Sequence, residues 1–149
     1  MKIEDEIKQK AFKNEFQKAM INILFTSGWL EHKQTQFFKK WGISPQQYNV
    51  LRILRGQNGN PITVASIQER MMDKMSNASR LVEKLKQKNL IERKECKTDR
   101  RQVDVIISKK GLELLNDIDK NIHEIEKPIK NISKEEAIEL NRLLDKLRS

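Results

Sequence analysis

Apolar residues recur at three- and four-residue steps along residues 5–40, a stretch without proline and with glycine only at position 28. This period is that of one helix face, so it predicts a long amphipathic helix, with Gly28 as the place for a break. Trp41-Gly42-Ile43 is expected to end the helix. The positions at this spacing are Phe12, Phe16, Met20, Ile23, Ser27 and Leu30.

The segment SPQQYNVLRILRG predicts a second helix, because Ser44, Pro45 and Gln47 carry the signals of a helix start. Serine caps the N-terminus, proline fits the first helical position, and a glutamine three residues after the serine completes a capping box. Gly56 is expected to end the helix, and QNGNP predicts the following turn. The expected buried side holds Tyr48, Leu51, Ile53 and Leu54.

A third helix, from about Val64 to Met72, and a fourth helix in SNASRLVEKLKQKN are joined by a few residues. This length pattern is that of a helix-turn-helix. Ser76 is the expected N-cap of the fourth helix. The buried stripe of that helix is predicted to contain Ala78, Leu81, Val82 and Leu85, and its outer face Asn77, Arg80, Lys84 and Lys88.

Strands are predicted at LIERKEC (90–96) and VDVII (103–107), with a hairpin loop between them. Ser108 is expected to start a helix that Pro128 ends or kinks, and Ser133 with Glu136 forms a capping box for the last helix. The predicted fold is mainly α with a small β-hairpin wing, a winged helix-turn-helix. Its outer helices carry more apolar surface than this centre can cover, which favours burial against a second copy.

A chain of 149 residues suits one domain, 1–149. Within it, 44–108 is the predicted winged helix-turn-helix, and 1–40 and 109–149 are the predicted dimerisation helices. No apolar run approaches the ~20 residues of a membrane span and no signal peptide is evident, so a cytoplasmic protein is expected. The single cysteine, Cys96, excludes an internal disulfide and a multi-thiolate zinc site.

The net charge of +9 is concentrated in the middle of the chain. Residues 70–101 contain eleven Lys or Arg and five Asp or Glu, whereas residues 112–149 contain seven basic and nine acidic residues. A localised basic region is typical of a surface that binds a polyanion such as DNA. A solvated surface on a lysine-rich protein is the alternative, and charge alone does not choose between the two.

Three segments in this order and spacing resemble the MarR family of bacterial transcription regulators: GISPQQYNVLRIL, SNASRLVEKLKQKNLIER and DRRQVDVIISKKG. The third resembles the family's wing signature, although Ser108 stands where threonine is commoner. The resemblance implies a homodimeric, DNA-binding regulator, expected to be a repressor, on a pseudo-palindromic operator. The positions that match the wing signature are Asp99, Arg101, Val105, Ile107, Ser108 and Gly111.

The resemblance also implies roles for single residues. In the wing, Arg101 is expected to enter the minor groove, Arg100 to reach a phosphate, and Asp99 to hold the loop, the alternative being a surface ion cluster. The first turn of the recognition helix should meet base edges, although Ser76 and Asn77 are also candidates for simple capping or solvent exposure. The residues expected at the DNA are Ser76, Asn77, Ser79 and Arg80, with Lys84 on a phosphate.

The resemblance further implies a small-molecule effector pocket between the dimerisation helices and the winged helix, where Trp29, His32 and Phe37 would line it. Apolar walls with a few polar groups suit an aromatic or anionic guest. Core packing of these aromatic residues is the alternative. Two other functions remain open: a winged helix for protein contacts, which the basic region disfavours, and a redox-responsive regulator using Cys96. That cysteine does not match the family's sensing position.

The sequence contains no phosphate-cradling glycine loop, no HExxH pair and no nucleophile elbow. We therefore expect no enzyme, no catalytic residue and no cofactor. The two histidines, His32 and His123, are far apart in the sequence, so no metal site is expected either.

Overall fold

The computed structural model of the protein describes residues 1–95 and 103–149. Eight α-helices lie within these ranges: α1 (Ile3–Glu6), α2 (Glu15–Phe38), α3 (Pro45–Arg55), α4 (Val64–Arg70), α5 (Ala78–Gln87), α6 (Lys109–Asn121), α7 (His123–Glu126) and α8 (Lys134–Arg148). The described strands are β1 (Ile62–Thr63), β2 (Ile91–Glu95) and β3 (Val103–Ile107). Short 3₁₀ turns follow α2 at Lys39–Trp41 and α7 at Lys127–Ile129. The architecture is the predicted one, mainly helical with a small antiparallel sheet.

The core lies where α3, α4, α5 and α6 meet the sheet. Strand β3 is central, with β1 and β2 antiparallel on its two sides. Ile62 pairs with Val105, and Ile91 pairs with Ile107. The fully buried side chains include Val50, Leu51, Ile67, Val82, Leu85, Ile91, Val105, Leu115 and Ile118.

The start of α6 is fixed against the end of α5. Ser108 caps α6 by accepting the Gly111 N–H at 3.0 Å, and its hydroxyl donates to the Asn89 carbonyl at 2.7 Å. Gly111 is buried, and a Cβ there would clash with the Leu90 carbonyl oxygen. The wing signature thus contains a cap and a close-packing glycine.

The first long helix differs from the prediction in its starting residue and at Gly28. It begins at Glu15, because Asn14 caps it by accepting the Gln17 N–H at 2.9 Å, and residues before Asn14 lie outside it. The suggested break near Gly28 is wrong: the helix runs through this exposed position, where a Cβ added to the glycine would have nothing within 4 Å. The helix therefore presents one unbroken rod.

Local signals place most of the remaining helix starts correctly. Both capping boxes are present, Ser44 with Gln47 and Ser133 with Glu136. The prediction of Ser76 as the N-cap of α5 is wrong, because the Asn77 side chain accepts the Arg80 N–H at 3.1 Å. Strand β1 is not predicted by the pattern of its residues.

The C-terminal helices are only partly covered. Pro128 lies in the 3₁₀ turn between α7 and α8, in agreement with its predicted role as a helix breaker. Helix α8 buries no residue within the described chain, and its exposed apolar side chains are Ile138, Leu140, Leu143 and Leu147. The described residues include no helix that is both long and apolar enough to cross a membrane.

Candidate nucleic-acid interface

Helix α5 divides cleanly into a buried face and a polar face. Ala78, Val82 and Leu85 are buried, and they hold the helix against α3 and α4. The residues between them point outward because the 3.6-residue period rotates them to the other side. Among the predicted DNA contacts, Asn77, Ser79, Arg80 and Lys84 are exposed. Four of the five DNA contacts assigned to this helix thus share one surface.

Ser76 is the exception. Its Oγ is buried and has no hydrogen-bond partner among the described residues, although the residue borders the same groove as Arg80 and Lys84. Asn77 is exposed, but its Oδ1 already accepts the Arg80 N–H. A bidentate contact from Asn77 to adenine would have to share that oxygen with the cap, whereas its amide N–H groups are not used in capping.

A shallow groove of about 370 Å³ runs beside this polar face. The N-terminal end of α3 forms its other wall through Ser44 and Gln46, and Arg80 and Lys84 line the α5 side, with one carboxylate, that of Asp73, at the groove as well. Two cationic side chains next to a helix N-terminus favour an anion, because the positive end of the helix dipole adds to their charge. The groove can therefore receive an anionic group such as a phosphate beside α5.

Lys88 lies on a different part of the surface from that predicted. Its Nζ donates to the Gly42 carbonyl and lies 3.2 Å from Gln47 Oε1, which ties the end of α5 to the start of α3. Arg93 pairs with Glu83 at 2.6 Å. These two cations serve contacts within the chain, so Lys84 remains as the basic residue directed outward from the second turn of α5.

The wing tip is outside the described residues. Asp99, Arg100, Arg101 and Cys96 all fall in 96–102, so their expected roles stay predictions. The two strands that lead to this segment are paired up to Glu95 opposite Val103. The hairpin predicted from the sequence is confirmed as far as its strands.

Trp29, His32 and Phe37 do not line one cavity in the described chain. Trp29 lines a cavity of about 250 Å³ beneath the N-terminal segment, and Phe37 is buried and lines another of about 220 Å³ near α7. His32 is exposed, with its Nε2 2.8 Å from the side-chain nitrogen of Gln36. For Phe37 the structure favours the core-packing alternative, since its ring lies 5.0 Å from those of Phe38 and Trp41.

A larger cavity, which sequence reasoning missed, lies between α2, α3 and the connection from α4 to α5. Its volume is about 630 Å³. Its α2 residues are spaced three and four apart, and this helical spacing is the sequence signal for the cavity wall. The prediction used the aromatic residues of α2 instead, and Trp29 lies on a different face of the helix. The lining residues are Ser27, Leu30, Glu31, Gln34, Pro45, Gln46, Asn49, Met71, Met72 and Asp73.

Three polar contacts join α6 and α7 to the ends of α2 and α3. Trp41 Nε1 donates to Asp117 at 2.6 Å, Arg55 pairs with Asp119 at 2.6 Å, and Lys40 pairs with Glu124 at 2.8 Å. The hydrogen bond from Lys40 holds the pKa of the Glu124 carboxyl below its ordinary value. These contacts fix the C-terminal helices relative to the helix-turn-helix.

No group of three potential metal ligands occurs in 1–95 or 103–149.

Known proteins resemble this chain in sequence and in fold. A family model described as "MarR family" matches residues 43–103. The HTH-type transcriptional regulator MhqR of Bacillus subtilis (strain 168) is 34% identical over 99 residues, which cover 66% of this chain and 67% of that protein. The family match spans the helix-turn-helix and reaches the first residue of β3.

Two solved structures share the fold at low sequence identity. The organohalide-sensing RdhR-CbdbA1625 transcriptional regulator, bound to 2,4-dichlorophenol, has a TM-score of 0.79 and 20% identity, covering 94% of this chain and 86% of that one. The S. aureus MepR–DNA complex has a TM-score of 0.72 and 21% identity, covering 92% and 97%. The overlap extends beyond the helix-turn-helix to the outer helices.

Proposed function

This chain belongs to the MarR family of transcription regulators, and we propose that it acts as a homodimeric repressor that binds a pseudo-palindromic operator and is released by a small molecule. The family consists of DNA-binding regulators rather than enzymes. The observation that carries the proposal is the outer face of α5, where exposed Ser79, Arg80 and Lys84 lie opposite a buried apolar stripe. Such a face fits the major groove, where side chains meet base edges.

Each exposed residue of α5 has a chemistry that suits DNA. Arg80 can pair with guanine or a phosphate, the amide of Asn77 can donate to an acceptor on a base, and Lys84 suits a phosphate. We assign Arg100 and Arg101 to the backbone and the minor groove from the resemblance of their segment to the family's wing, with Asp99 holding the loop. The MepR structure supports the general mode, since it is a complex with DNA.

Exposed apolar side chains on α2 and α8 support a homodimer. Phe16 is 87% exposed, Leu24 and Leu147 are each 67% exposed, and their neighbours Met20 and Leu143 are exposed as well. Several large apolar side chains exposed along the same helices are typical of an interface. We therefore assign 1–40 and 109–149 to dimerisation and 44–108 to DNA binding. Two copies related by a twofold axis would meet half-sites about one helical turn, ~10 base pairs, apart.

Release of DNA by a small molecule would depend on the distance between the two α5 helices of the dimer. In a dimer the outer helices set the spacing of the two α5 helices, so a guest that prefers another spacing lowers affinity for both half-sites. RdhR-CbdbA1625, with a similar fold, was solved with 2,4-dichlorophenol bound. The sequence favours Trp29, His32 and Phe37 as effector residues, but they line no common cavity in the described chain. A regulator of transcription is expected in the cytoplasm, where bacterial DNA lies.

The test starts from duplexes selected out of a random pool by the full-length protein. Mobility-shift titrations at two salt concentrations then compare the selected duplex with a scrambled one. Lys84→Ala should weaken both by a similar factor and reduce the salt slope by about one unit, because one phosphate contact is lost. Lys134→Ala, the same change at the start of α8, should leave both unchanged.

Three results would contradict the proposal. Failure to select any duplex would remove the DNA-binding assignment for this chain. Equal effects of Lys84→Ala and Lys134→Ala would remove α5 as the DNA face. A compact monomer in sedimentation at micromolar concentration would remove the homodimer.

A further inference from the structure

We propose that Lys88 is a positioning residue for DNA binding, and that the dimerisation helices hold the recognition helix at its C-terminal end. The inference rests on the proposed function, since it names the contacts that carry the geometry of the homodimer to the DNA face. Lys88 acts in this way without touching DNA, although the helical period of α5 predicts it on the outer face with Lys84.

The ammonium group of Lys88 is directed back at its own chain. Its Nζ donates to the Gly42 carbonyl and lies 3.2 Å from Gln47 Oε1. Gln47 is buried, and the same oxygen accepts the Ser44 N–H at 3.1 Å in the capping box of α3. Gly42 ends the 3₁₀ turn that follows α2, with a φ of +67° in the left-handed region. Lys88 therefore fastens α5 to the place where the chain leaves the first long helix.

Two more hydrogen bonds tie the same end of α5 to the start of α6. The Ser108 hydroxyl donates to the Asn89 carbonyl at 2.7 Å, and Lys110 Nζ donates to the Lys88 carbonyl at 3.2 Å. The backbone turns out of the helix at Asn89, where φ is +59°, so the carbonyls at this end are not used within α5. The start of α6 supplies their donors.

The hydrogen bond from Trp41 to Asp117 completes the arrangement, because it joins the end of the first long helix to α6. The end of α2, the end of α5 and helix α6 are thus linked in pairs. The opposite end of α5 is held by the helix-turn-helix itself, since the Ala78 N–H donates to Gln68 of α4 at 3.0 Å. The links from the dimerisation helices therefore hold α5 far from the turn that is proposed to meet the bases.

A small change at this end becomes a large one at the DNA. The first turn of α5 lies roughly 15 Å from Lys88, so a tilt of about 10° about the C-terminal end would move that turn by about 2–3 Å. A hydrogen bond to a base edge does not survive such a displacement. In a homodimer both copies of α5 must also fit their half-sites at the same time, so a loosened helix costs selectivity for the distance between half-sites.

This role differs measurably from that of a phosphate contact. The selected duplex is compared with versions in which the distance between half-sites is a single base pair longer or shorter. Lys88→Met keeps the apolar stem and removes the ammonium group. It should weaken binding to the selected duplex about fivefold and to the altered duplexes much less, so the preference for one spacing becomes flatter. The salt slope should stay parental, because no phosphate contact is lost.

Lys84 provides the matched comparison, since it lies one turn earlier on the same helix. Lys84→Met should give the opposite result, a lower salt slope with the parental spacing preference. Lys134→Met, at the start of α8, should change neither quantity. A lower salt slope in Lys88→Met with an unchanged spacing preference would overturn the proposal, because Lys88 would then be a phosphate contact.

Spin labels test the position of α5 in the absence of DNA. A nitroxide is attached to Ser79→Cys in a Cys96→Ser background, which gives one label for each protomer because the chain has a single cysteine. Pulsed electron spin resonance should give a narrow distance distribution for the parent homodimer and a broader or displaced one for Lys88→Met. An unchanged distribution would overturn the proposal.

Two further observations separate a folding defect from loss of positioning. Thermal melting reports whether Lys88→Met is folded, and Lys110→Met, at an exposed residue of α6, removes a neighbouring link while the capping box of α3 remains. Lys110→Met should change the label distances in the same direction by a smaller amount. If Lys88→Met does not fold, parental distances in Lys110→Met would contradict the proposal. A chain that selects no duplex would refute the proposed DNA binding, while the label distances would still decide whether Lys88 positions α5.

Discussion

The indole N–H of Trp41 donates to the Asp117 carboxylate across 2.6 Å, joining the end of the first long helix to α6. Trp41 also packs against Phe37, so the ring and the N–H have separate partners. Trp41→Phe should keep the packing and lose the hydrogen bond. A double-mutant cycle with Asp117→Ala, measured by urea unfolding, should give a coupling of about 1 kcal/mol. Additive effects would show that the contact contributes nothing to stability.

The Lys40–Glu124 pair predicts a pH dependence. The pKa of Glu124 is held below its ordinary value of 4.5 by the hydrogen bond from Lys40, so the folded state binds a proton there less readily than the unfolded chain. The stabilisation is therefore complete above this ordinary value and is lost as pH falls through the lower folded pKa.

Glu124→Gln should thus lower the urea midpoint at neutral pH and converge with the parent in acid. Glu113→Gln, an exposed glutamate on α6, should show no comparable difference. A deficit in Glu124→Gln that persists unchanged in acid would contradict the ionic origin of the effect.

Two glycines predict opposite responses to the same substitution. Gly111→Ala should destabilise the protein by about 3 kcal/mol, because the new Cβ would clash with the Leu90 carbonyl and lie 2.7 Å from Ile107 Cγ1. Gly28→Ala should stabilise it by about 0.5–1 kcal/mol, since α2 is continuous there and the site is open. Thermal melting of both variants tests this prediction. Similar changes in melting temperature for the two variants would contradict the close packing at Gly111.

Asn77 predicts a separation of stability from DNA binding. Asn77→Ala should cost about 1 kcal/mol through loss of the cap and should also weaken duplex binding. Asn77→Ser restores a capping oxygen but removes the amide, so stability should return while duplex affinity stays low. Urea unfolding and mobility shifts on the same samples provide both readouts. Recovery of affinity together with stability would mean that Asn77 only caps the helix.

Arg101→Ala should weaken binding to the selected duplex severely and leave the melting temperature unchanged, if the wing enters the minor groove. Arg148→Ala, at the last residue of α8, removes the same charge elsewhere and should leave affinity unchanged. Parental affinity of Arg101→Ala would refute the wing assignment.

Peroxide should have little effect on DNA binding, and an oxidant response that Cys96→Ser removes would favour a redox-responsive regulator.

The sequence predicts the features that depend on neighbouring residues and misses those that depend on distant ones. The capping box at Ser44 is a local signal, because its two hydrogen bonds form within four residues. Strand β1 is two residues long, and it exists because Ile62 and Thr63 pair with β3, about forty residues away. Local propensity does not contain that information.

The cap of α5 and the cavity of about 630 Å³ illustrate the same limit. SNAS offers two capping residues in a row, and Asn77 becomes the cap because Asp73 and Ser76 close the preceding turn by a backbone hydrogen bond. The cavity combines residues from α2, α3 and the α4–α5 connection, so no single stretch of sequence reveals it. The polar face of α5 was predictable, because its helical period is contained in ten residues.

The apolar faces of α2 and α8 and the polar face of α5 belong to different helices. A chain that has lost Arg80 therefore keeps all the surface by which we propose it pairs with another copy. In a cell that makes both forms, most pairs would contain at least one defective subunit and bind at most one half-site. Such an allele would be genetically dominant, derepressing target genes even though an intact gene copy is present.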